Sequence, residues 1–137
     1  MKKMFNLSIL YFILAMIGGV FYREFTKFYQ YTGLTMLKSV HTHLLVLGTF
    51  LFLFLTIVCK VSELENNKQF NYFTILYNIA LPFMVIMMVV RGIIQVMGIE
   101  VTQSISAMIS GIAGLSHILI LIAFILLFIS LKKALFD

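Results

Sequence analysis

The chain has 137 residues, of which 62% are hydrophobic and only 11% charged, and its mean hydropathy is +1.09. That composition excludes an ordinary soluble domain, and the length is too short for a membrane domain plus a soluble one. The formal net charge of +5 does not point to nucleic acid, because most basic residues stand at the ends of apolar runs, where lipid headgroups would meet them.

Apolar runs of membrane-spanning length, about 20 residues each, predict four helices, over about residues 5–22, 37–59, 72–97 and 104–131. The expected fold is all-α: a polytopic four-helix transmembrane bundle, a single domain over residues 1–137. Lys2 and Lys3 before the first run are also the start of a secretory signal, but the run ends in VFYREF without a small-x-small cleavage site, so it is expected to stay attached. Gly18-Gly19 near its far end allows close helix approach. A polar, aromatic connection follows, REFTKFYQYTGLTMLK, in which Gly33 and Thr35 offer a turn and an N-cap.

The second helix closes at Lys60, and a charged loop, KVSELENNKQF, turns at Asn66-Asn67. The third contains the only proline, Pro82, which is expected to kink it and free a carbonyl one turn earlier. Gly98, Ile99 and Glu100 form a short break, and the fourth helix is expected to stop at Lys132-Lys133. Cys59 is the only cysteine, so no intrachain disulfide forms, and it reads as a packing residue.

Counting Lys and Arg beside the helix ends sets the orientation. One side holds Lys2, Lys3, Lys60, Lys68, Lys132 and Lys133; the other holds Arg23, Lys27 and Lys38. Both termini are therefore expected on the cytoplasmic side.

Chemistry, if present, rests on three histidines. His41 and His43 lie in SVHTHLLVLGTFL, and His117 lies in GIAGLSHILILIAF. Polar, metal-competent side chains are costly inside membrane-length segments. The stretch His43–Phe54 aligns weakly with His117–Phe128. At about 1.5 Å per residue the two histidines sit about 25 and 22 Å from Lys60 and Lys132, at nearly one depth.

Imidazoles from two helices can ligate a haem iron held between them. Ser110, Ala113 and Gly114 would clear a recess on the face of His117, and Gly48, seven residues after His41, would do the same on the second helix. Arg91, Arg23 and Lys38 lie near the outer level, where they could hold propionates. His41 and His43 are about 200° apart around a helix, so only one can face a given iron; depth favours His43 and the adjacent glycine favours His41. Three histidines without a paired carboxylate or thiolate leave a zinc or copper site incomplete. The plain alternative is that the histidines bond across helix interfaces. Arg91, with Gln95 four residues on, reads either as an anion anchor or as an arginine reaching the interface. No Walker-type loop, H-E-x-x-H or G-x-S-x-G occurs. No catalytic set is assigned, and a non-enzymatic role is favoured.

The strings GGVFYREFTKF, VHTHLLVLG, YN…RGIIQVMG and ISGIAGLSHI together resemble a family of small four-helix bacterial membrane proteins of unknown function, over nearly the whole chain. The resemblance implies a multi-pass protein of the bacterial cytoplasmic (inner) membrane. More distantly, VHTHLLVLGTFLFL is similar to haem-ligating helices of the catalytic subunits of haem–copper oxidases and nitric oxide reductases. There the position matching His41 ligates a low-spin haem, and an H-x-H pair can serve two haems. This chain has about a third of the helices of those subunits and too few histidines for two haems and a copper.

The leading expectation is therefore a membrane protein binding a b-type haem. Its metal ligands would be His117 with His41 or His43, its propionate holders Arg91 and Arg23, and its recess Gly48 and Gly114. The role would be electron transfer, haem handling or gas sensing. Two alternatives stand beside it: a non-enzymatic accessory subunit of a membrane complex, and a small oligomeric transporter or channel. The expected partners are the lipid bilayer and other membrane subunits or further copies of the chain, with no nucleic acid.

Overall fold

The computed structural model describes residues 1–136, which form four long helices and, among the described residues, no strand. The helices are Lys2–Phe28, Leu37–Val61, Lys68–Met97 and Gln103–Phe136, and each is long and apolar enough to cross a membrane. They alternate in direction. The amino group of Met1 pairs with Glu65 in the second turn, and Lys133 lines a hollow with Glu63 and Asn66 of the same turn. Both ends of the described chain therefore sit at one end of the bundle.

The first helix does not stop at Tyr22 but runs through Phe28. Nothing in REFTKF breaks a helix, and rings four residues apart support its last turns: Phe21 lies 5.0 Å from Phe25, and Phe25 lies 4.9 Å from Tyr29. The fourth helix likewise continues past Lys132-Lys133 to Phe136, since charge carries a helix out of hydrocarbon without ending it. Asn67 caps the third helix by accepting from the Gln69 N–H at 2.9 Å. Gly98, at φ 62°, ends it in the left-handed conformation that glycine adopts without strain.

The helices pack in sequence: first on second, second on third, third on fourth. Small residues set the approach. Gly18 meets Val40, and the space a side chain would take at Gly48 is filled by the Tyr11 ring. At Gly92 an added Cβ would lie 2.7 Å from the backbone nitrogen of Leu37. Ser116, Ala123 and Ser130, spaced by seven, are the fully buried positions of the fourth helix, small residues that let helices approach closely. Even so, 39% of the third helix's apolar window is buried against 17% of the fourth's. The fourth helix leans on the third and on the turn before it, without close packing on the first or second.

At mid-depth, aromatic side chains tie the bundle together. Tyr11 stacks on Phe52 at 5.5 Å, and Phe52 meets Tyr77 edge-on at 5.9 Å. The Tyr11 hydroxyl donates to the Asn78 side-chain oxygen at 2.8 Å, and the Asn78 amide donates to the Thr74 carbonyl. Asn78→Leu is expected to leave the phenol without its acceptor and to cost about 0.6–1.7 kcal/mol, the span measured for hydrogen bonds between membrane helices. The thermal midpoint in detergent, compared with Asn78→Gln, checks this.

Candidate functional site

Residues Leu44–Phe50, directly after the two histidines of the second helix, are wound as a π-helix. Such segments are rare and concentrate at functional positions. The wider winding offers carbonyls outward: the Tyr77 hydroxyl of the third helix donates to the Leu47 carbonyl at 2.8 Å. The sequence signals this segment only through Gly48, which lets Tyr11 lie against the backbone.

The histidines separate. His41 turns toward the first helix, where a Cβ added at Gly19 would lie 3.7 Å from its own Cβ. Its Nδ1 is buried with no hydrogen-bond partner. His43 lies two residues on, about 200° around the helix from His41, half-buried, and is not among the residues lining the His117 groove. His117 lines a groove of about 320 Å³ between the third and fourth helices, together with Met36, Met84, Met88, Arg91 and Gly114. Nothing lies within 4 Å of where a Gly114 side chain would start, so the fourth helix is open to its surroundings beside His117, which is itself exposed. The recess expected at Gly48 is occupied by Tyr11, because the first helix packs on that face.

His43 and His117 share one feature. Each places Nδ1 near the carbonyl four residues earlier, Ser39 at 2.8 Å and Ala113 at 3.0 Å. A carbonyl only accepts, so in the neutral ring Nδ1 carries the proton and Nε2 presents its lone pair. Metal-ligating histidines are commonly held in this way.

Arg91 reaches across to the fourth helix, donating to the Ser110 hydroxyl at 2.6 Å and to the Ser106 carbonyl at 3.3 Å. Gln95 does not join it. Its side-chain oxygen accepts from the Met36 N–H at 2.8 Å, beside the Thr35 hydroxyl that donates to the Gly92 carbonyl at 3.1 Å. These two bonds clamp the start of the second helix onto the third. Arg23 is exposed on the first helix with Glu24 at 3.7 Å, and is not among the residues lining the His117 groove. The structure thus brings His117, Arg91 and Gly114 to one groove, which His43 does not line, while His41 and Gly48 lie against the first helix and Arg23 is exposed on it.

Among the described residues, no three His, Cys, Asp or Glu side chains gather as a set for a bare metal ion. The groove offers one imidazole, His117, and one cation, Arg91. A histidine ligand and a charge for a propionate are what a b-type haem takes from a helix bundle. A volume of about 320 Å³ falls at the low end of the usual range for small-molecule sites, about 300–1,000 Å³.

No curated protein and no solved structure matches the chain, haem–copper oxidase and nitric oxide reductase subunits included. A match over residues 1–134 shows that the chain belongs to the DUF2871 family, described as proteins of unknown function.

Proposed function

We propose that this is a multi-pass protein of the bacterial cytoplasmic membrane, with both termini cytoplasmic, that holds a b-type haem on the His117 side of the bundle. His117 and His43 would hold the iron and Arg91 a propionate. The observation that carries this reading is the shared imidazole geometry: both rings have Nδ1 committed to a backbone carbonyl and Nε2 available. His43 is preferred to His41 because the His41 ring lies against the first helix and its Nδ1 is not held by a carbonyl. Bound haem would give the protein one-electron and diatomic-gas chemistry, and the protein's part is to ligate it, orient it and supply the Arg91 charge.

The test is a reduced-minus-oxidised visible spectrum of protein purified in detergent from haem-supplemented cells. Wild type is expected to show Soret and α bands, lost in His117→Ala and His43→Ala and kept in His41→Ala. Wild type without haem, or haem that survives both ligand changes, would overturn the reading. A second reading, a non-enzymatic subunit docked to other membrane proteins or to itself, is favoured by the fourth helix, whose apolar window is only 17% buried.

A further inference from the structure

We infer that the cleft between the first and third helices is a binding site for one anionic phospholipid, drawn from the leaflet at the N-terminal end of the chain. The site is separate from the His117 groove and does not depend on haem. Two hollows, of about 400 and about 300 Å³, lie end to end there and share Tyr11, Leu14 and Pro82. Val40 and Leu44 of the second helix floor the farther one, and these side chains keep the first and third helices from closing on each other.

What lines the cleft suits an alkyl chain. Its polar side chains at mid-depth are already partnered: the Tyr11 hydroxyl donates to Asn78, and the Asn78 amide donates to the Thr74 carbonyl. Above them the walls are Leu14, Ile17, Val85 and Val89. In a bilayer such a cleft is filled by hydrocarbon rather than water.

The end of the cleft selects the headgroup. Lys3 lines the nearer hollow. Among the described residues the ion pairs are Met1 with Glu65 and Arg23 with Glu24, so the Lys3 ammonium has no carboxylate partner among them. From Lys3 to Tyr11 the helix rises about 12 Å at about 1.5 Å per residue. That is close to half of a hydrocarbon core of about 30 Å, so a phosphate at Lys3 places its acyl chain along the nearer hollow within one leaflet, its end reaching the Tyr11–Leu14 junction with the farther one.

Native mass spectrometry of protein released from nanodiscs tests this, using equimolar phosphatidylglycerol and phosphatidylcholine with identical chains. Wild type is expected to retain one phosphatidylglycerol about fivefold over phosphatidylcholine, the effect of one lysine beside an anionic headgroup. Lys3→Ala, an exposed change that leaves the fold intact, is expected to bring the two lipids to parity. Leu14→Trp, checked for helicity by far-UV circular dichroism, fills the cleft and is expected to remove both. Lys133→Ala, at the other hollow of the same end, is expected to change nothing. Equal retention by wild type, a preference that survives Lys3→Ala, or one abolished by Lys133→Ala instead would overturn the proposal. If Leu14→Trp does not fold, the Lys3→Ala result decides alone.

Discussion

Gly92→Val is expected to lower the stability of the purified protein by about 3 kcal/mol or more, the upper part of the range for overpacking a tight interior. The reason is the kind of neighbour. A Cβ at this position would lie 2.6 Å from Leu37 Cγ and 2.7 Å from the Leu37 backbone nitrogen. A flexible side chain could swing aside, but the nitrogen belongs to the first turn of the second helix and moves only with it. Moving that turn breaks both bonds that hold it, from Thr35 to the Gly92 carbonyl and from the Met36 N–H to Gln95, and displaces the segment leading into His41 and His43. Gly111→Val is the control, since nothing lies within 4 Å of its Cβ position. Thermal midpoints in one detergent compare the two, and a shift for Gly92→Val no larger than the control's would contradict the close crossing.

Tyr77→Ala is expected to cost about 3–5 kcal/mol, as for a fully buried aromatic ring replaced by alanine, whereas Tyr77→Phe should cost only about 0.6 kcal/mol for one hydrogen bond in a membrane bundle. Tyr77 is wholly buried. Its ring centroid lies 5.1 Å from Phe73, 5.5 Å from Phe124 and 5.9 Å from Phe52, so it is the side chain through which the second, third and fourth helices meet. Truncation removes packing from all three at once. The phenylalanine variant keeps the ring and gives up only the bond to the Leu47 carbonyl. Similar losses for the two variants would show that the hydroxyl, and with it the π-helical segment, matters more than the ring.

Much of the architecture was legible in the chain because it depends on local properties. Four apolar runs of spanning length gave four helices, and Gly98 marked the end of the third through backbone freedom that glycine has anywhere. The ends at Phe28 and Phe136 were misread for a physical reason: hydropathy reports where hydrocarbon ends, and a helix is free to continue in polar surroundings. The third helix runs without a break from Lys68 to Met97 through Pro82; the missing N–H is a local fact, and how far the axis bends there depends on what packs beside it.

The candidate site divides along the same line. The sequence by itself determined the residue types and the near-opposite facing of His41 and His43, since two residues of α-helix turn a side chain by about 200°. The π-helical turn between His43 and Lys60, by contrast, alters the rise from which the depth of His43 was reckoned. Only the tertiary structure decided which histidine turns toward the first helix, because that depends on Gly18 and Gly19 meeting the second helix. The same contact between helices decided that Tyr11 fills the space at Gly48, while the space at Gly114 stays open because the fourth helix packs on one neighbour. Gln95, one turn from Arg91, was drawn into the clamp on the second helix rather than into the groove. A side chain's address along the chain fixes its helix face, but its partner comes from the helix that packs against that face, and that pairing is set by contacts far apart in sequence.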